Sequence, residues 1–193
     1  MTGRPGPAAD RGRAGPDPDL DDVRAAQADR SAFGALYRRY LDRVYGYCYY
    51  LLGDHHDAED ATERTFVAAL AALDSFRDEG ASFRSWLFRI AHNQLANTLR
   101  TRSRHRAAAL DAHPEASTHA DPLAALTRDE EARRVRAALS GLLEDRRQVL
   151  VLRFVDGLSA AEIGEVLGRS AGAVRVLQHR ALRDLADALD ATE

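Results

Sequence analysis

The chain has no lysine: all 27 of its basic residues are arginine, so every fixed cation it offers a partner is a guanidinium. It has one cysteine, Cys48, which excludes an internal disulfide. That residue falls on a helical face with Val44, Tyr47 and Leu51, reads as core, and fits a reducing compartment. No apolar run nears the ~20 residues a membrane span needs, and the first residues lack the hydrophobic stretch of a signal peptide. The expected location is therefore the cytoplasm. Alternating strand patterns and internal repeats are both missing. So are a phosphate-cradling glycine loop, a nucleophile elbow and an HExxH motif, which argues against an enzyme. Adjacent histidines in "DHHD", residues 54–57, seldom converge on one ion. No metal and no cofactor is expected.

Proline is also scarce, and its placement divides the chain. Four of the six prolines (Pro5, Pro7, Pro16, Pro18) lie in the first 18 residues, which read as a disordered tail. Pro114 and Pro122 fall in "DAHPEASTHADP", a polar stretch without helical periodicity, so residues 107–126 read as a flexible linker. The proline-free blocks on either side, 19–106 and 127–193, read as helical throughout. The fold class expected is all-α, with two small helical domains: a helical bundle and a C-terminal helix-turn-helix domain.

In the first block, Phe33, Leu36, Tyr37, Tyr40, Val44, Tyr47 and Leu51 recur at helical spacing behind Ser31, an expected N-cap. A second helix starts near His55, its first turns crowded with Asp57, Glu59, Asp60 and Glu63, where the helix dipole favours acid. After the loop "DSFRDEGAS" comes a third, with Trp86, Leu87, Ile90, Leu95 and Leu99 as its apolar stripe. In the second block, Leu139, Leu142, Leu143, Val149, Leu150, Leu152 and Phe154 supply the core of two helices broken near Glu144-Asp145. "DGLSAAE" then provides a turn and a capping box, Ser159 with Glu162. A short helix stops at Gly168 and Ser170 caps the next, which is the helix-turn-helix pattern.

Charge is distributed unevenly about a net value of -3. Residues 19–79 carry thirteen acids against seven arginines, whereas 80–110 hold six arginines (Arg84, Arg89, Arg100, Arg102, Arg104, Arg106) and no acid. Such polarity suits two partners, one acidic and one tolerant of acid. On a helical wheel Val174, Leu177, Ala181, Leu182 and Leu185 share one side, and Gly172, Arg175, Val176, His179, Arg180 and Arg183 the other. Guanidinium groups so placed can bond guanine edges or hold phosphates, although an ordinary solvated face would look similar. Phe76, Phe83, Trp86 and Phe88 are interleaved with Arg77, Arg84 and Arg89. That combination suits unpaired bases, while Trp86 and Phe88 also suit a core.

These segments resemble bacterial RNA polymerase sigma factors of the extracytoplasmic-function group. "DAEDATERTFVAAL" (57–70) resembles the helix with which that family binds the polymerase clamp, and "FRSWLFRIAHNQLANTLRTR" (83–102) its promoter-melting segment. Residues 142–182 resemble its domain for the upstream promoter element. The resemblance implies a factor that binds core RNA polymerase through clamp and flap and directs initiation at promoter DNA, with an anti-sigma factor as a further partner common in the family. It assigns Asp57, Asp60, Glu63 and Phe66 to the clamp. It places Phe76, Phe83, Arg84, Trp86, Asn93 and Arg100 at the -10 element, with the loop from Asp74 to Ser82 receiving a flipped base. Arg175, Val176, His179, Arg180 and Arg183 would enter the major groove at the -35 element. Two positions depart from the family pattern: Arg64 stands where an acid is usual, and Val176, apolar where a polar reader is common, suits a thymine methyl. The alternative is a stand-alone helix-turn-helix regulator that dimerises on a palindrome. It leaves the acid-free aromatic-arginine helix unexplained. A pure protein-interaction adaptor explains neither basic face.

Overall fold

Apolar residues spaced three and four apart make the second helix of the chain the natural centre of a bundle. In the structure, a computed structural model, that helix is α2 (Phe33–Leu52), and Leu36, Tyr40, Val44, Tyr47, Cys48 and Leu51 are all buried along it. The described residues are 17–78, 81–109 and 130–190, with side chains omitted for 101–109 and 130–133. Burial pushes the Cys48 thiol up to about 12, as expected of a core cysteine. Ser31 is not the cap. A single 3-10 turn, Arg30–Ala32, precedes α2, and its cap is Asp29, which accepts from the Ser31 N–H at 2.9 Å.

Gly53 ends α2 at φ +70°, a conformation that costs glycine little. Asp54 then caps α3 (His55–Ala72), accepting from the Asp57 N–H at 2.9 Å. Small residues on α3 (Ala58, Ala61, Thr62, Thr65, Ala69) bury against α2. α4 (Phe83–Ala109) closes the unit, with Phe88 edge-on to Tyr47 at 5.6 Å and Phe83 edge-on to Tyr40 at 5.8 Å. α1 (Leu20–Ala28) covers one end through Val23 and Ala26.

The residues just before α1 belong to the fold and not to a tail. Asp17 accepts from the Phe83 N–H at 2.6 Å and so caps α4, and Asp19 is buried, accepting from Arg39 and Tyr40. The proline pattern placed the tail boundary at residue 18 because it could not register two acids answering donors 66 residues away for Asp17 and 20 and 21 residues away for Asp19. Residues 1–16 lie outside the described residues. At the far end α4 continues to Ala109, past the expected boundary at 106. Most of the expected linker lies outside the described residues.

The second block contains α5 (Glu130–Ser140), α6 (Glu144–Leu150), α7 (Ala160–Leu167) and α8 (Ala171–Asp190). The break expected near Glu144-Asp145 falls at residues 141–143, and those two acids open α6 instead, where the dipole favours them. One π-helical turn, Val151–Val155, follows α6 directly. A π turn holds an extra residue, so Val151 and Leu152 turn inward while Phe154, expected as core, is 61% exposed. Leu143, also expected as core, is 67% exposed at the start of α6.

The helix-turn-helix forms as its sequence signals. Ser159 and Glu162 make the reciprocal capping box, Gly168 turns the chain at φ +65°, and Ser170 accepts from the Ala173 N–H at 3.2 Å. Among the described residues there is no strand. The two helical blocks share one apolar core: Val149, Val151, Leu152, Leu158, Ile163, Val166 and Val174 join the buried residues of α2, α3 and α4.

The turn between α7 and α8 is tight enough to forbid a side chain at Gly164, where a Cβ would lie 2.5 Å from the Arg169 carbonyl oxygen. Gly164→Ala should therefore destabilise the chain by roughly 1–3 kcal/mol. Gly172→Ala, whose Cβ would meet only Ser170 Oγ at 3.9 Å, should be neutral or stabilising. Denaturation midpoints followed by circular dichroism distinguish the two, and equal midpoints would mean that the turn yields.

Candidate nucleic-acid and protein interfaces

On α8, Val174 and Ala181 are buried, with Leu177 and Leu185 partly so, and that burial sets the rotation of the helix. Arg175, Val176, His179, Arg180 and Arg183 consequently share the exposed side. Among the described residues none of these three arginines pairs with an acid. The neighbouring basic residues are engaged: Arg146 pairs with Asp184 and Arg169 with Asp145, bracing α6 against the helix-turn-helix. Val176 is 52% exposed in the middle of the basic face. Leu182, which the wheel placed inward, is also exposed, whereas Leu185 packs on the cluster around Ala181.

The start of α4 is arranged differently from expectation. Phe76 and Phe83, read from the sequence as candidate base contacts, are buried, and with Trp86 they form a cluster with ring centroids 5.4–5.8 Å apart. Their ring faces are occupied by one another and by Tyr40, so in this structure they pack the loop instead of presenting it. Trp86 alone of the three is partly exposed. Gln27 holds the loop from α1, donating to the Leu73 carbonyl at 3.0 Å and the Phe76 carbonyl at 3.3 Å. Arg84 is half-buried and paired with Glu162 at 2.6 Å. Further along, Arg89, Asn93, Asn97 and Arg100 are exposed at helical spacing, with Arg100 donating to Asn97 Oδ1 at 2.6 Å. Asn97 was missed in the sequence, although its place one turn after Asn93 puts it on the same face.

A groove of about 630 Å³ runs between α2 and α3. Its floor is Tyr37, Leu41, Phe66 and Val67, and Asp42, Glu59 and Glu63 stand at its rim. Phe66 is held edge-on by Phe33 and Tyr37 at 6.4 and 4.7 Å. Of the residues expected to bind protein, Phe66 and Glu63 line this groove. Asp60 is exposed beside it, paired with Arg64 at 3.0 Å one turn on, and Asp57 sits at the first turn. The sequence reading had placed Tyr37 in the core. It is 40% exposed beside the groove, with Phe66 of α3 edge-on to its ring.

Two family models match the chain in this order: Sigma-70 region 2 over residues 36–105, and Sigma-70 region 4 over residues 132–185. The ECF RNA polymerase sigma factor BldN of Streptomyces coelicolor is 38% identical over 186 residues, covering 93% of this chain and 68% of its own length. The chain belongs to the ECF RNA polymerase sigma factors. A second relative, the ECF sigma factor ShbA of Streptomyces griseus, is 35% identical over 84% of this chain and 90% of its own length. Among solved structures, this sigma factor is similar to CnrH in complex with the cytosolic domain of CnrY (TM-score 0.70, 32% identity, covering 91% of this chain and 99% of that one). It is also similar to the sigma factor RpoE in complex with the anti-sigma factor NepR from Bartonella quintana (TM-score 0.70, 25% identity, 82% and 96%). The sigma factor is a DNA-binding initiation factor that directs promoter-specific transcription with core RNA polymerase, and a stand-alone dimeric regulator is not favoured. No helix among its described residues is long and apolar enough to cross a membrane.

Glu63 faces the groove without a basic partner among the described residues, whereas Asp60 is already paired with Arg64. Glu63→Arg should accordingly weaken binding to core polymerase more than Asp60→Arg does. Pull-down titrations with core enzyme compare them, with circular dichroism to confirm folding. Equal wild-type affinity in both variants would exclude the groove as the polymerase contact.

Proposed function

We propose a division of labour in which the α2–α3 groove takes the polymerase clamp, α4 holds the opened -10 element, and α8 enters the major groove at the -35 element. The observation that carries it is the unpaired basic face of α8, set on a chain whose other basic surface, on α4, is free of acid. Arg175 and Arg180 suit guanine edges or phosphates, His179 and Arg183 extend that contact, and Val176 suits a thymine methyl. On α4, Trp86 supplies the accessible ring, Arg84 and Arg100 the cations and Asn93 a hydrogen-bonding edge for unpaired bases. Phe76 and Phe83 act beneath them by shaping the loop.

The groove has apolar walls and an acidic rim, which suits a basic amphipathic helix. Asp57, Asp60, Glu63 and Phe66 thereby serve the clamp, and the helix-turn-helix domain meets the flap. Tethering both DNA-binding elements to one polymerase makes their contacts effectively intramolecular, so a chain of net charge -3 needs little affinity of its own. The chain works in the cytoplasm, catalyses no reaction itself, and is regulated by an anti-sigma factor, as the solved relatives bound to CnrY and NepR support.

The two DNA-facing elements call for different chemistry, and a pre-melted template separates them. Arg175→Ala should cost ~1–3 kcal/mol of promoter binding, in a manner that depends on the upstream sequence. Asn93→Ala should leave upstream duplex binding intact and impair strand opening. A template with a bubble over the -10 element should restore most of the transcription lost in Asn93→Ala and none of that lost in Arg175→Ala. Equal rescue of both variants, or of neither, would overturn this division.

A further inference from the structure

The connection between α3 and α4 is tied at both described ends to the segment that opens the first block. At its start, Gln27 of α1 donates from Nε2 to the Leu73 carbonyl at 3.0 Å and to the Phe76 carbonyl at 3.3 Å, so both hydrogens of its amide are used. Arg30, in the turn after α1, donates to the Leu70 carbonyl and pairs with Asp74 at 2.6 Å. At its end, the Phe83 N–H, the first of α4, donates to Asp17 Oδ2 at 2.6 Å. Ser82 Oγ accepts from the Ser85 N–H at 3.1 Å. Two of the N–H groups that a helix start leaves open are thus met, one of them from 66 residues away.

Asp17 is a fixed acceptor. Its Oδ1 accepts from the Asp19 N–H at 3.0 Å, which closes a turn around Pro18 and leaves Oδ2 for α4. Asp19 in turn is buried and accepts from Arg39 and Tyr40 of α2. The arrangement has an electrostatic cost, because Asp17 sets a negative charge beside a helix read as binding a polyanion. Its capping role offsets that cost.

These backbone ties reach the surface through three rings. Phe76 and Phe83 lie 5.8 Å apart, and Trp86 lies 5.4 Å from the first and 5.5 Å from the second. Gln27 holds the backbone of Phe76 and Asp17 that of Phe83, so the two anchored residues form the seat of Trp86. We propose that Asp17 and Gln27 are positioning residues for the opened -10 element, setting from beneath the plane that Trp86 offers to an unpaired base. A seat built before the strand arrives spares binding the cost of ordering it. The melting unit therefore begins at Asp17, and α3, α4 and the connection between them do not suffice for it. This inference rests on the assignment of α4 to opened DNA.

Trp86 is the only tryptophan of the chain, so its fluorescence reports the seat directly. In the full chain, Asp17→Ala and Gln27→Met should raise the acrylamide quenching constant of Trp86. Asp17→Asn keeps an acceptor for the Phe83 N–H while removing the same charge as Asp17→Ala, and should quench as the wild type does. In holoenzyme, the probe is a single-stranded oligonucleotide with the non-template -10 sequence of a promoter that it transcribes. Asp17→Ala and Gln27→Met should each weaken its binding about 5-fold, the usual cost of a lost cap expressed as an equilibrium constant. Asp17→Asn should bind at least as well as the wild type, and Arg24→Ala, on the exposed side of α1, should match it throughout. Combined with Trp86→Ala, neither Asp17→Ala nor Gln27→Met should weaken binding further, because a positioning residue acts only through the ring it positions.

Wild-type quenching and oligonucleotide affinity in both Asp17→Ala and Gln27→Met would overturn the proposal and leave the α4 assignment intact. Equal losses in Asp17→Asn and Asp17→Ala would remove the cap, and losses that add in full to that of Trp86→Ala would make the ties structural only. A parallel loss of affinity for core polymerase would mark general damage to the bundle and also overturn positioning. Unchanged oligonucleotide affinity in Trp86→Ala alone would overturn the stacking role and the proposal together.

Discussion

Helices of seven or eight residues, such as α6 and α7, do not persist alone in water, and this chain has no sheet, disulfide or metal ligand set among its described residues to hold them. What holds them is the buried face of α2. Along one side it takes α1, α3 and α4. Near its C-terminal half it meets the π turn, and Tyr50 packs on the separate cluster of Leu139, Leu142, Leu150 and Ala181. Apolar burial is non-directional, so the two blocks can slide apart without leaving a lattice of broken hydrogen bonds. The directional ties between them are few, and Glu162 accepts most of them.

The acids of the first block explain how a negative chain keeps its DNA-facing surfaces basic. Asp17 and Asp54 cap helices, Asp29 caps a turn, Asp19 and Asp22 hold Arg39, and Asp74 holds Arg30. Three of these acids are thus paired with arginine and three are tied to backbone N–H groups. What remains outward near the groove is Asp42, Glu59 and Glu63, a local field and not a whole-domain one. Arginine follows the same logic in the second block, where Arg146 and Arg169 brace helices and α8 keeps its unpaired arginines.

Local signals were the legible part of the sequence. The capping box at Ser159, the turn at Gly168, the cap at Ser170 and the exposed face of α8 each depend on residues within a few positions of one another, and each is found where its pattern placed it. What could not be read depends on distance. Phe76 and Phe83 look like base contacts until Tyr40 and each other are seen to cover their rings. Arg84 looks free until Glu162, 78 residues later, arrives beside it. Nor could two proline-bounded blocks announce that they share a core, because hydrophobic spacing reports that a face is buried and not against what. The π turn was invisible for a related reason: "VLRFV" has ordinary helical composition, and nothing in it marks a wider turn.

That wider turn has a consequence for how the family can vary. It takes up one residue more than an α turn over the same rise, so the chain before it and the chain after it are out of phase by about 100° relative to an unbroken helix. A lineage that lost a single residue between Val151 and Val155 would gain a more regular helix. It would also rotate Leu158, Ile163 and everything beyond them away from α2 and α4. Point substitutions at the exposed Phe154 and Val155 would disturb little by comparison; a deletion there would rewrite the whole relation between the two halves while leaving every local motif intact.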